Sequence, residues 1–127
     1  MSVEMIAKLA ADRMPTPQQW QEAISKHGFD LKMDTDFDVA AFGGFLPCEF
    51  EWQEAGFEYS YRLSGASLEI SLITHSDLRE FISSAIAGAV LVHMTDGTLI
   101  DPDDVERQYR GEEALAYARE MEQEASG

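Results

Sequence analysis

The 127-residue chain has little positive charge and almost no cysteine. Nine Lys and Arg stand against 24 Asp and Glu, a formal net charge of −15. A phosphate backbone or an anionic bilayer is held by a basic surface, so nucleic acid and membrane are excluded as expected partners. A basic protein, attracted and oriented by a strongly negative field, is favoured instead. Cys48 is the single cysteine, which excludes an intramolecular disulfide framework. The most apolar run, 81–94, is broken by Ser83, Ser84, Gly88 and His93 and falls short of the roughly 20 residues that span a bilayer. The opening MSVEMIAKLAADRMP lacks the charged region and apolar run of a signal peptide. The expectation is a soluble, cytoplasmic protein. At 45% apolar and 26% charged residues the chain is too apolar to be disordered, and its length suits one domain.

Local patterns set the expected elements. Residues 3–13 place Ile6, Leu9 and Ala10 at helical spacing, a short helix stopped by Pro15. Thr16-Pro17-Gln18-Gln19 reads as a helix start, with Thr16 as N-cap, Pro17 at the first position and Gln19 completing a capping box. The helix runs over 17–27 and ends at Gly28. Period-two alternation then marks strands at 29–34, 45–53 and 57–64, the last two a hairpin with a three-residue turn at Glu54-Ala55-Gly56, and a third strand of the meander at 67–75. Within 45–53, Cys48, Phe50 and Trp52 share one face. Ser76 is placed to cap a helix through Leu78, Phe81, Ile82, Ala85 and Ile86 that ends at Gly88. A strand at 89–94, an Asp96-Gly97 hairpin turn, strand 98–100, a helix begun near Asp103 and Asp104, and a helix over 111–125 complete the chain. The expected fold is α+β: an antiparallel sheet of about four to six strands with helices packed on one face.

No catalytic motif stands out. Asp34, Asp36 and Asp38 imitate the start of a calcium loop, but Val39 stands where that loop needs Gly and Phe45 where it needs the bidentate Glu. His27, His75 and His93 have no Cys or His at ligand spacing, so no metal or cofactor is expected. Cys48 on an apolar face reads as a small core residue. Phe42-Gly43-Gly44-Phe45 precedes a strand, so it builds no phosphate cradle at a helix N-terminus. Glu49 and Glu51 share a strand face, with Glu58 across the hairpin. Paired carboxylates of this kind do glycosidase chemistry at the right separation, yet the face alternates away from the core.

The most telling feature is a gap. Between Lys32 and Arg62 there is no Lys, Arg or His, while Asp34, Asp36, Asp38, Glu49, Glu51, Glu54 and Glu58 all fall there. The stretch reads either as a solubility device or as a negative recognition surface. Trp52, Phe42 and Phe45 are then either its aromatic anchors or members of the core. A second acidic region, Asp101 to Glu124, is partly helix N-terminal charge.

The order PTPQQWQEAISKHGFDLKMD, DFDVAAFGGFLPCEF, GFEYSY, TDGTLIDPDD and EEALAYARE resembles small bacterial immunity proteins paired with secreted antibacterial toxins, type VI secretion effectors among them. The resemblance spans residues 15–120 and rests on structural signatures. It implies a cytoplasmic antidote that binds its cognate toxin and blocks the active site, with no residue role carried over. The expected function is stoichiometric, non-enzymatic inhibition, with Asp34, Asp36, Asp38, Glu49, Glu51, Trp52, Glu54 and Glu58 as the partner-binding set. The rivals are an adaptor or chaperone for a secreted effector, bound through an apolar groove, and a small carboxylate-dependent enzyme. The sequence leaves the oligomeric state open.

Overall fold

The computed structural model describes residues 2–75 and 77–126. Seven strands and three α-helices follow along these residues: β1 (Ser2–Ala10), α1 (Pro17–Lys26), β2 (Leu31–Met33), β3 (Gly44–Phe50), β4 (Gln53–Ser64), β5 (Ser67–His75), α2 (Leu78–Thr95), β6 (Thr98–Ile100), β7 (Gln108–Tyr109) and α3 (Glu112–Ser126). The strands form one antiparallel sheet in the order β2-β3-β4-β5-β1-β6-β7. Helix α2 lies across one face, with α1 and α3 against its flanks. This is the α+β arrangement expected, with more strands than counted from the sequence. No helix among the described residues is long and apolar enough to cross a membrane.

Two strands were not expected, the short β7 and β1, the latter standing where a short helix was expected. Ile6, Leu9 and Ala10 suggested a helical period, but Met5, Ala7 and Leu9 are the buried residues. They alternate with Glu4, Ile6 and Lys8, a period of two that matches the pleat. β1 pairs with β5 along its whole length and with β6 through Ile6–Lys8, which puts it inside the sheet.

Helix α1 starts as its sequence requires: Thr16 Oγ1 accepts from the Gln19 N–H at 3.1 Å and the Gln19 side chain accepts from the Thr16 N–H at 3.0 Å. Its Trp20 is fully buried and donates its indole N–H to the Ala87 carbonyl of α2 at 3.0 Å. Helix α2 is buried without a break from Ile82 to Val92, as a helix enclosed on all sides must be apolar around its circumference. Gly88 does not end it. A methyl group there would sit 2.9 Å from Leu99 Cδ1 and 3.4 Å from Met5 Cγ, so the glycine lets the helix approach the sheet. The expected strand at 89–94 is therefore helix, which ends at Asp96 in the left-handed conformation (φ 58°). Asp77 is the N-cap of α2, accepting from the Glu80 N–H at 3.0 Å; Ser76, expected there, lies outside the described residues.

Asp96-Gly97 accordingly joins a helix to a strand and makes no hairpin. The helix expected from Asp103 is absent too. Asp101 and Asp104 accept from the N–H groups of Asp103 and Glu106, and such side-chain turns compete with helix. The segment leads through β7 into α3, whose Leu115 and Ala118 are buried and Met121 packed beside them.

Candidate functional site

The acidic stretch occupies one end of the sheet, strands β2, β3 and β4, and its geometry depends on the β3–β4 register. Leu46 faces Phe57, Cys48 faces Ala55 and Phe50 faces Gln53. The turn is therefore Glu51-Trp52, two residues long, and the expected turn at Glu54-Ala55-Gly56 is strand. The reason is face matching. A turn at 54–56 would oppose Tyr59 to Glu51 and Phe57 to Gln53, bringing the buried face of one strand onto the polar face of the other. The observed register stacks Leu46, Cys48, Ala55 and Phe57 on the α2 side, all buried.

The two-residue turn carries an unusual load. Glu51 and Trp52 both have positive φ, 50° and 68°, as a tight hairpin turn of matching twist requires. Asn-Gly adopts that shape easily; side chains with a bulky Cβ do so at roughly 1 kcal/mol each. Trp52 does not join the face of Cys48 and Phe50, as the alternation suggested. It projects from the turn, 77% exposed, and the Lys32 ammonium of β2 sits 4.6 Å from its ring centroid.

Gly56, freed from the turn, lies opposite Pro47 on the outer face. The Phe45 ring covers it, close enough that a methyl group at Gly56 would meet Phe45 Cζ. Phe45 is 53% exposed, so Phe45 and Trp52 remain available as surface aromatics. Phe42 does not: it packs with Phe37 and Tyr59, ring centroids 5.3–6.0 Å apart. The Tyr59 hydroxyl donates to the Val39 carbonyl at 2.6 Å. This cluster folds the acidic loop against the end of the core.

All seven expected carboxylates are exposed. Asp34 and Asp38 shape the loop, accepting from the N–H groups of Asp36 and Ala40. Glu49 stands directly opposite Glu54 on one side and Lys32 on the other. Glu51 is carried away from this pair by the turn; its charge, behind the larger effect of burial, helps hold the Glu122 carboxyl of α3 above its usual range. Glu58 lies further along β4, opposite Phe45, with His75 Nε2 3.5 Å from its carboxylate. Among the described residues, the other six make no ion pair within 4.0 Å.

A hollow of about 680 Å³ opens among these residues. Asp34, Glu49 and Glu54 line it with Lys32 and Glu80, and its apolar lining is Met33, Phe45, Pro47, Cys48 and Ala55. Burial, reinforced by Asp77, raises the Glu80 carboxyl. Burial also pushes the Cys48 thiol to about 11, with Glu80 and Glu49 adding to it against the Ser83 hydrogen bond, which disfavours the thiolate that a nucleophile needs. Lys32, Pro47 and Glu80 were absent from the expected site. Lys32 was legible, since it alternates outward between buried Leu31 and Met33; Glu80 reaches the hollow only through packing of α2. Among the described residues no group of His, Cys, Asp or Glu is arranged to hold a metal ion.

No family model, curated protein or solved structure matches the chain.

Proposed function

We propose that this protein is a cytoplasmic immunity protein. It binds a basic, secreted antibacterial toxin domain one-to-one through the acidic end of its sheet and neutralises it by covering the active cleft. The observation that carries this reading is an end of the sheet with six exposed carboxylates that make no ion pair among the described residues, three of which, Asp34, Glu49 and Glu54, line one hollow with Phe45, while Trp52 is exposed on the adjoining turn. Unpaired surface charge of one sign adds nothing to folding, whereas it raises the rate at which an oppositely charged partner arrives. Close aromatic contacts would then govern how slowly the complex parts. The solvent exposure of Glu49, Glu54 and Glu58 favours binding over carboxylate catalysis, which works in a site that excludes water.

The test begins with capture of the tagged protein's partner from its host and its identification by mass spectrometry. The expected partner is a basic domain that arrests growth when expressed alone and is silenced by co-expression of this chain, in a one-to-one complex. Association should slow steeply with salt. Glu49→Lys/Glu51→Lys/Glu58→Lys should abolish protection. Full protection by that variant would remove the acidic surface from the interface, and salt-independent binding would favour an adaptor that holds an effector segment in an apolar groove.

A further inference from the structure

We infer that Trp52 is the anchor of this interface, an aromatic wedge that seats in an apolar slot bordered by Lys or Arg on the partner. The inference rests on the proposed function above and names the contact that function would use. Three observations converge on it. Glu51 and Trp52 hold a two-residue turn with both φ values positive, a conformation that Asn or Gly would adopt with less strain. The side chain thereby displayed gives nothing back to the core, since Trp52 is 77% exposed. Lys32, reaching across from β2, holds the ring at 4.6 Å, so the indole is oriented before any partner arrives and less freedom is lost on docking. Tryptophan is among the residues that most often dominate an interface, set in a ring of contacts that excludes water. Here the ring is acidic: Glu49, Glu51 and Glu54 surround the turn, and Lys32 is already engaged with the indole. The matching surface is apolar at its centre and basic at its border. A second copy of this chain fits poorly, because it brings the same carboxylates to the contact and a net charge of −15 to each partner.

The full chain carries its own probe. Trp20 is fully buried and Trp52 exposed, so acrylamide quenching reads Trp52. Two ligands are titrated: a short amphipathic peptide of leucines and lysines, which presents an apolar strip bordered by cations, and an oligolysine of equal charge. The leucine-lysine peptide should shield Trp52, shift its emission to the blue, and bind about tenfold tighter than oligolysine. The variant Glu51→Asn/Trp52→Gly should lose that tenfold margin, bind oligolysine almost as before, and melt no lower than the parent. If both peptides bind the parent alike and the variant matches it, the anchor is overturned while the acidic surface stands. If neither binds, both readings fall. A variant that melts well below the parent would show that Trp52 serves the fold, and concentration-dependent dimers lost on substitution would assign the turn to self-association; either overturns the inference.

Discussion

Phe45 is the one aromatic whose place on the hollow can be tested through a glycine. At Gly56 (φ 152°) an added methyl would meet the Phe45 ring, with Cε1 at 2.9 Å, and the Leu46 carbonyl oxygen at 2.8 Å. Gly56→Ala therefore combines a backbone conformation foreign to alanine, about 1–2 kcal/mol, with overpacking of about 1–2 kcal/mol. The sum is about 3 kcal/mol, or roughly 10 °C in melting temperature for a chain of this size. Phe45→Ala alone uncovers Gly56 and loses the burial of about half a phenylalanine, about 1 kcal/mol. The two changes share one contact. In the double variant the ring is gone and only the carbonyl contact and the backbone term remain, so the total should be about 3 kcal/mol where simple addition gives about 4. Urea unfolding of the four proteins measures this coupling of about 1 kcal/mol. Additivity within about 0.3 kcal/mol would refute the placement of the ring over Gly56 and, with it, the border of the hollow.

Other perturbations have equally definite outcomes. Tyr59→Phe removes the donor to the Val39 carbonyl at 2.6 Å and should cost about 1 kcal/mol, with faster amide exchange confined to residues 36–42; global acceleration would contradict a local clasp. Cys48, its thiol raised by burial to about 11, should react with a thiol reagent only on unfolding, so rapid labelling of the native protein would disprove its burial. Burial, then the facing His93 ring 4.8 Å away and the charges of Arg119 and Lys26, against the opposing carboxylate of Glu112, lowers His27 below its ordinary 6.5. The unfolded chain then binds the proton more readily, so the His27 contribution to stability is fully present above pH 6.5 and is lost as pH drops from there through the lowered value. His27→Gln should flatten that part of the pH profile, and an unchanged slope would assign it elsewhere.

The elements read well from sequence where one local signal settled the matter. Thr16, Pro17 and Gln19 fixed the start of α1, and strict alternation located β5. Where two readings competed, the deciding fact lay in another element. Gly88 reads as a terminator until Leu99 and Met5 are seen to need the space beside it, and β1 reads as a helix until β5 and β6 flank it. The β3–β4 turn is a different case, because everything needed was local. A turn at 54–56 pairs Tyr59 with Glu51, a mismatch already present in the sequence pattern; a turn at 51–52 brings Leu46, Cys48, Ala55 and Phe57 together. Glycine at 56 was the misleading signal, since it serves the Phe45 ring and not the chain reversal. The acidic character of the site was legible as a run without cations, whereas the contribution of Glu80 was not, because it arises from how α2 crosses the sheet.

The distribution of the few positive charges gives the site its sign. Arg13 is spent on Asp96, and Lys8 and Arg62 flank Glu69 on the outer face. Arg119 donates to the His27 carbonyl and lies over the Phe29 ring, closing α3 onto the end of α1. Each of these sits away from the hollow, while Lys32, the cation at its border, is turned onto an exposed indole. Were the acids there for solubility alone, scattering them among the cations would serve equally well. Concentrating them instead raises the repulsion within one sheet end, most directly between Glu49 and Glu54, which face each other across strands. Folding gains nothing from that pair, so replacing Glu54 with Thr should stabilise the free protein by a few tenths of a kcal/mol while slowing capture of a basic partner. Loss of stability on that substitution would mean that the pair contributes to the fold and that the charge at this end of the sheet has a structural origin.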